Sequence, residues 1–155
     1  MGFVDWFRLR FRPPRLVDPD FGPLVFMYIS HAPERSYWEA EWEFPPVGYK
    51  VSIGLAGDRE GPSAESRAFF LSRVAEFERT VELVRPQLDS VCRKWLGRPL
   101  ADDIWADVKL AGLDVQDPNG TPLSWEVSFE TLGNRWLGIA IPIVGDVVGE
   151  ATVDT

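Results

Sequence analysis

The stretch Tyr37-Trp-Glu-Ala-Glu-Trp-Glu-Phe-Pro-Pro-Val-Gly-Tyr-Lys-Val-Ser-Ile-Gly-Leu55 decides the fold class of this chain. Its first half alternates apolar residues with glutamates, and its second half repeats an apolar alternation after a Pro-Pro-Val-Gly turn. Alternation of this length is typical of antiparallel strands with one buried face and one solvent-exposed face. We therefore predict a hairpin with strands over residues 37–44 and 47–55.

Downstream of the hairpin, residues 64–96 carry the clearest helical pattern in the chain. Apolar residues recur at spacings of four and three, which predicts one long helix with a continuous apolar stripe. The stripe consists of Phe70, Val74, Phe77, Val81, Val84, Leu88, Val91 and Trp95. Its bulky aromatic side chains favour packing on a sheet over the alternative, a coiled-coil seam with a partner helix. Pro86 removes a backbone hydrogen bond inside this helix, so we expect a kink or break within one turn of it.

Further strand-like segments lie on both sides of these elements. An apolar run over residues 24–29 follows a turn, and later strands are predicted near residues 104–110, 123–130 and 136–144. Asp117-Pro-Asn-Gly120 is a strong turn signal between two of them. The order βββ-α-βββ contains no alternating βαβ units. It therefore predicts an α+β fold with a mainly antiparallel sheet packed against the long helix.

The chain is expected to form one α+β domain over residues 18–145. Residues 146–155 are expected to be a loose C-terminal tail. Residues 1–17 form a basic, amphipathic N-terminal arm that carries four arginines against Asp5. The aromatic spacing of the arm fits a helix and a strand equally well. We expect it to cover an apolar patch of the core, in preference to anchoring on a membrane surface.

The charge of the chain restricts its partners. The net charge is −8, and residues 97–155 contribute three basic and ten acidic groups, or −7. Phosphate backbones require a basic footprint, so we expect no nucleic-acid binding and favour a basic protein as the partner. A single cysteine, the absence of a long apolar run and charged opening residues predict a cytoplasmic protein. The pattern leaves the oligomeric state open.

Few residues could support catalysis. His31 is the one histidine and Cys92 the one cysteine. A Cys–His dyad is conceivable, but Cys92 directly follows Val91 of the apolar stripe and is interpreted as a core residue. The chain also lacks the Gly-x-Ser-x-Gly turn of many serine hydrolases. We predict no catalytic residue and no enzyme activity.

Metal and cofactor motifs are also missing from the sequence. Asp102, Asp103 and Asp107 offer oxygen ligands, but on a strand the last two would lie about 13 Å apart at the usual rise per residue. The segment from Asp114 superficially resembles a calcium loop, but Pro118 occupies a ligand position. We predict no metal site and no cofactor.

Glu39, Glu41 and Glu43 are the candidate partner surface. They alternate with apolar residues and are therefore expected on the wet face of one strand, about 7 Å apart. That spacing falls within the range of glycosidase carboxylate pairs, but catalysis would also require burial to raise a pKa. A solvated strand face, open to a basic partner, is the favoured interpretation.

Several short motifs resemble those of bacterial protein families of unknown function. The motifs are the opening Met1-Gly-Phe-Val-Asp-Trp-Phe-Arg8, the turn Asp18-Pro-Asp-Phe-Gly-Pro-Leu24, and Trp38 with Trp42. Some members of such families look like toxin-immunity proteins. The acidic charge and the missing catalytic motifs lead us to expect a non-enzymatic protein-binding module, and the resemblance adds an immunity-type protein that neutralises a basic toxin as one form of it. The alternative function is a structural or regulatory protein that forms homo-oligomers through its helix or its arm.

Overall fold

The structure is a computed structural model that describes residues 8, 11–117, 120 and 122–155. Most of the predicted N-terminal arm and the centre of the predicted turn at 117–120 lie outside the described residues. The described part of the chain has an α+β fold, as the sequence predicts. A single open sheet, mostly antiparallel, packs against two helices.

Ten strands occur among the described residues. They are β1 (Arg15–Asp18), β2 (Gly22–Met27), β3 (Tyr37–Phe44), β4 (Tyr49–Asp58), β5 (Gly61–Pro62), β6 (Val108–Asp117), β7 (Ser124–Thr131), β8 (Gly138–Val144), β9 (Val147–Val148) and β10 (Thr152–Asp154). The spatial order is β1-β2-β3-β4-β6-β7-β8-β10, with β5 paired to β4 and β9 paired to β8.

The alternating sequence of each strand separates a core face of the sheet from an open face. In β3 and β7 every second residue is buried, and the residues between them are half-buried or exposed. The buried set joins the apolar residues of both helices in one core. Helix α1 (Ala64–Ala75) and helix α2 (Phe77–Val91) therefore both lie on the core face. The opposite, open face presents the polar residues of β3, β4, β6 and β7.

The helices also explain the one parallel pairing among the described strands. The connection from β4 runs through α1 and α2 before the chain enters β6, so β6 runs in the same direction as β4. A strand–helix–strand crossover of this kind is the usual way to place two parallel strands side by side. Its register sets Ser52 opposite Gly112 and Gly54 opposite Asp114.

The sequence predicts one long helix with a break near Pro86, and the predicted position of that break was wrong. The interruption lies at Glu76, whose φ of −104° and ψ of 15° depart from helical values, and α2 continues through Pro86. Pro86 and Glu82, the residue whose carbonyl loses its bond, are both exposed. Water can therefore solvate that carbonyl, which allows the proline inside the helix. The buried residues of the two helices include Phe70, Phe77, Val84, Leu88 and Val91.

Three boundary predictions also need correction. The C-terminal tail is not loose, because β9 and β10 both pair with β8 and so satisfy their backbone groups within the sheet. The arm does not extend to residue 17, because Arg15–Asp18 pairs with β2. The predicted strand at 104–110 begins instead with a short 3₁₀ turn at Ile104–Ala106, and β6 starts at Val108.

Candidate functional site

A shallow groove crosses the open face of the sheet where β3, β4, β6 and β7 lie side by side. Its volume is about 220 Å³, and most of its lining is polar or glycine. The lining residues are Tyr37, Glu39, Ser52, Ile53, Gly54, Gly112, Leu113, Asp114, Glu126 and Ser128. We call this the acidic groove.

The strand register produces the carboxylates of the acidic groove. Glu39 lies opposite Gly54, Gly54 opposite Asp114, and Asp114 opposite Glu126. Neighbouring strands are about 4.8 Å apart, so this row places three acidic residues across four strands. A second row, one pleat along, contains Glu41, Ser52, Gly112 and Ser128.

Two glycines form the floor of the acidic groove. A Cβ added at Gly54 would overlap the Oδ1 atom of Asp114. A Cβ at Gly112 would lie 2.9 Å from the backbone oxygen of Ser52 and 3.1 Å from the Oγ of Ser128. The bare backbone therefore lets the Asp114 carboxylate lie over β4, and it leaves open space between the side chains of β3 and β7.

Asp114 is the most perturbed carboxyl group of the groove. Desolvation over the sheet is the main cause that raises its pKa from 3.8 to about 6, and the charge of Glu126 adds to the rise. A hydrogen bond from the Val115 amide acts in the opposite direction. The residue as a whole remains exposed, so water still screens this charge. Desolvation first, and then the charges of Glu39 and Asp114, also raises the pKa of Tyr37.

The acidic groove brings the carboxyl groups of Glu39, Asp114 and Glu126 together on one face of the sheet. Within the described residues, no lysine or arginine forms an ion pair with Glu39 or Asp114. On the strands that form the groove, Lys50 lies opposite Glu43 and Lys109 forms an ion pair with Glu130. A positive charge on a ligand would therefore lie close to the Asp114 carboxyl group, whose ionisation is disfavoured in the free protein.

The three predicted surface residues fall in different surroundings. All three lie on the open face of β3, as the alternation predicts. Glu39 is half-buried and lines the acidic groove, whereas Glu41 and Glu43 are exposed and lie outside it. The structure therefore moves the centre of the candidate site from the β3 row towards Asp114 and Glu126.

Cys92 and His31, the two residues considered for catalysis, lie in the core and in a surface turn, respectively. Cys92 is fully buried, as predicted for a core cysteine, and burial raises the pKa of its thiol. His31 lies exposed in the turn between β2 and β3. A thiol that is buried and more reluctant to ionise is a poor nucleophile.

The aspartate cluster at 102–107 also has a structural role. Asp103 caps the 3₁₀ turn by accepting a hydrogen bond of 3.2 Å from the Trp105 amide. Asp107 is buried, forms an ion pair of 2.8 Å with Arg98 and accepts a hydrogen bond of 2.7 Å from the Ala101 amide. These bonds lower the pKa of the Asp107 carboxyl. In the described ranges, no three histidine, cysteine, aspartate or glutamate side chains converge on a position for a metal ion.

Comparison of the chain with protein-family models, with curated proteins and with solved structures gives no match in any of the three. Among the described helices, none is long and apolar enough to cross a membrane. The geometry of the described residues is therefore the basis for a functional argument.

Proposed function

We propose that the protein is a non-enzymatic binding module that docks a basic protein on the open face of its sheet. An immunity-type protein that neutralises a basic toxin is one form of this function. The observation that carries the proposal is the acidic groove, in which Glu39, Asp114 and Glu126 form one row over a glycine floor.

Electrostatics supports a cationic partner in particular. Like charges held on one face repel one another, and a lysine or arginine side chain in the groove would relieve that repulsion. Ionised Asp114 is disfavoured in the free protein, because its pKa is raised to about 6. A bound cation would favour the ionised form, so binding would release a proton near this pH. The affinity should therefore rise as the pH increases through about 6.

The alternative function, homo-oligomerisation through the helix, loses its main support. That hypothesis requires an apolar stripe that faces outward. The stripe residues Phe70, Val84 and Leu88 are fully buried, so the stripe does not face outward as one continuous seam for a second copy of the helix.

Affinity capture at low salt tests the proposal. The immobilised protein is exposed to a lysate of its source cells, and the captured partner is identified and then purified for titration. We expect a basic partner whose affinity falls steeply with salt, because the Debye length shortens from about 10 Å at 0.1 M to about 3 Å at 1 M.

Two sets of charge-neutralising variants locate the binding surface. The first set combines Glu39→Gln, Asp114→Asn and Glu126→Gln in the groove. The matched control removes three exposed carboxylates from turns: Glu34→Gln, Glu60→Gln and Glu150→Gln. Both sets change the net charge equally, so a loss of affinity in the groove set alone supports the proposal. Equal losses of affinity in both sets would show that binding depends on net charge alone. Unchanged affinity in the groove set would refute the acidic groove as the binding site.

A further inference from the structure

A second groove lies at the other end of the β3–β4 hairpin, on the helical side of the molecule. Its volume is about 700 Å³, and it is bounded by Pro45 and Pro46 of the hairpin turn, by the α1–α2 junction and by Trp105. A smaller groove of about 300 Å³ shares Pro46 and Trp105 with it. The two grooves meet at Pro46 and Trp105, and together we call them the Trp105 groove. Lys109, which forms an ion pair with Glu130, lines the smaller one. The Trp105 groove is separate from the acidic groove.

The aromatic residues of the Trp105 groove are held in place before any partner arrives. The Trp105 ring is 37% exposed and stacks on Phe77 with 5.9 Å between ring centroids. Asp103 and Asp107 bracket the short turn that carries it. Tyr49, also partly exposed, accepts a hydrogen bond of 2.8 Å from the Leu110 amide through its hydroxyl oxygen. Rigid, half-exposed tryptophan and tyrosine side chains are typical of the residues that dominate binding energy at protein interfaces.

The helical wall of the Trp105 groove adds an acidic rim to this apolar surface. Val74, Phe77 and Val81 line the groove with apolar side chains. Glu78 and Glu82 lie beside them, one helical turn apart on α2. Glu82 makes an exposed pair with Arg85, whereas Glu78 has no ion pair within the described part of the chain. The groove thus offers apolar contact in its centre and negative charge along one side.

We propose that the Trp105 groove docks an amphipathic helix of a second protein, with its apolar face against Trp105 and basic residues against Glu78 and Glu82. The larger part of the groove is walled by two helices, a proline turn and Trp105, and none of these residues lies on a strand whose edge an extended peptide could continue. Side-chain docking of a helix into a groove is the recognition mode that such walls permit. Basic residues four apart on the partner helix would match the spacing of the two glutamates.

The charges argue against a second copy of this chain in the groove. A symmetric dimer through this groove would bring Glu78 and Glu82 of both copies into one interface, in a protein of net charge −8. Opposed like charges at an interface are unfavourable, so a basic partner is preferred. This inference does not depend on the acidic groove.

The test uses a fluorescently labelled synthetic helix of leucine and lysine, with leucines at positions i, i+3, i+4 and i+7. A second peptide replaces every lysine with glutamate. We expect the lysine peptide to bind the full-length protein and the glutamate peptide not to bind. Trp105→Ala should weaken binding by about tenfold or more, as truncation of an interface tryptophan commonly does. Trp136→Ala is the matched control, because Trp136 is exposed and lines neither groove.

A second variant protects the test from a folding defect. Trp105→Ala also removes the stacking on Phe77, whereas Glu78→Gln combined with Glu82→Gln changes exposed residues alone. We expect the double variant to bind the lysine peptide about threefold or more weakly at low salt than the wild type does. The Glu39→Gln, Asp114→Asn and Glu126→Gln set should bind this peptide as the wild type does. The peptide experiment can therefore succeed or fail independently of the proposed function.

Three outcomes would overturn the inference. The first is lysine-peptide binding that Trp105→Ala and the glutamate variants leave unchanged. The second is a protein dimer, seen by sedimentation, that dissociates on Trp105→Ala, because a second copy would then occupy the groove. The third is peptide binding that appears only after Phe3, Trp6 and Phe7 are changed to serine, because the chain's own N-terminal arm would then be the occupant.

Discussion

Asp114→Asn should stabilise the protein at neutral pH and lose this advantage in mild acid. The folded chain raises the pKa of Asp114 from 3.8 to about 6, so the folded state holds the proton more tightly than the unfolded state. The wild type therefore loses stability as the pH rises from about 4 to about 6, and the loss stays constant above that range. The asparagine variant carries no charge at this position and avoids the loss.

The magnitude follows from the size of the pKa change. A rise from 3.8 to about 6 corresponds to at most about 3 kcal/mol at one ionisable group. Because Asp114 is partly exposed, screening by water reduces the expected effect to about 1 kcal/mol. For a chain of this length, that energy corresponds to a shift in Tm of roughly 2–4 °C.

Urea unfolding of both proteins at several pH values between about 4 and about 7.5 measures this difference. We expect the free energies of unfolding to differ by about 1 kcal/mol more near pH 7 than near pH 4. Glu43→Gln is the matched control, since it removes an exposed carboxylate from the same face outside the groove. A difference that does not change with pH, or one no larger than in the control, would refute the electrostatic description of the acidic groove.

Three further changes test other parts of the structure. Asp107→Asn should lower the free energy of unfolding by about 2 kcal/mol near neutral pH, because it weakens the pair with Arg98 and the bond from the Ala101 amide. The folded state lowers the pKa of Asp107, so the loss of unfolding free energy in this variant should shrink as the pH falls below about 4. A loss that persists in acid would contradict the role of the ionised Asp107 carboxylate. Gly57→Ala should cost about 1–3 kcal/mol in thermal or urea unfolding, because the new Cβ would overlap the carbonyl oxygen of Gly61 and lie 2.7 Å from the Cα of Pro62. Full stability of this variant would show that β5 can move. Pro86→Ala should raise the free energy of unfolding by about 1 kcal/mol, because the backbone there is helical and the alanine amide can donate to the Glu82 carbonyl. A loss of stability in urea would show that the chain turns at Pro86.

Local patterns in the sequence predicted the elements whose burial is periodic. The alternation in Tyr37–Phe44 gives β3 with the predicted bounds, because one face of that strand is fully buried. The stripe from Phe70 to Val91 likewise predicts which helical residues enter the core. In both cases the pattern arises directly from contact with a single continuous core.

The features that the sequence did not predict depend on contacts between distant segments. Glu39 was identified from its own strand, but Asp114 and Glu126 join it only through the parallel register of β4 and β6 and the pairing of β6 with β7. A shift of one residue in either register would turn these carboxylates to the other face of the sheet. The glycines at 54 and 112, which lie inside two strands, were the available signal of a close approach at this place.

The helix break at Glu76 has a similar cause. No proline or glycine occurs in the sequence near it, so local propensity gives no sign of a break. In the structure, the Arg73 guanidinium at the end of α1 lies 5.2 Å from the centre of the Trp125 ring on β7. Phe77 then packs on Phe44 of the sheet, with 5.1 Å between ring centroids. Tertiary packing on both sides of the junction therefore accounts for the break.

The most direct test of the proposed function is to map the bound partner onto the sheet. Backbone amide chemical shifts of the isotope-labelled protein are recorded with and without the captured basic partner at low salt. The proposal predicts that the largest changes fall on the open face of β3, β4, β6 and β7, centred on Gly54, Gly112 and Asp114. Changes confined to the outer faces of α1 and α2, with the four strands unaffected, would contradict it.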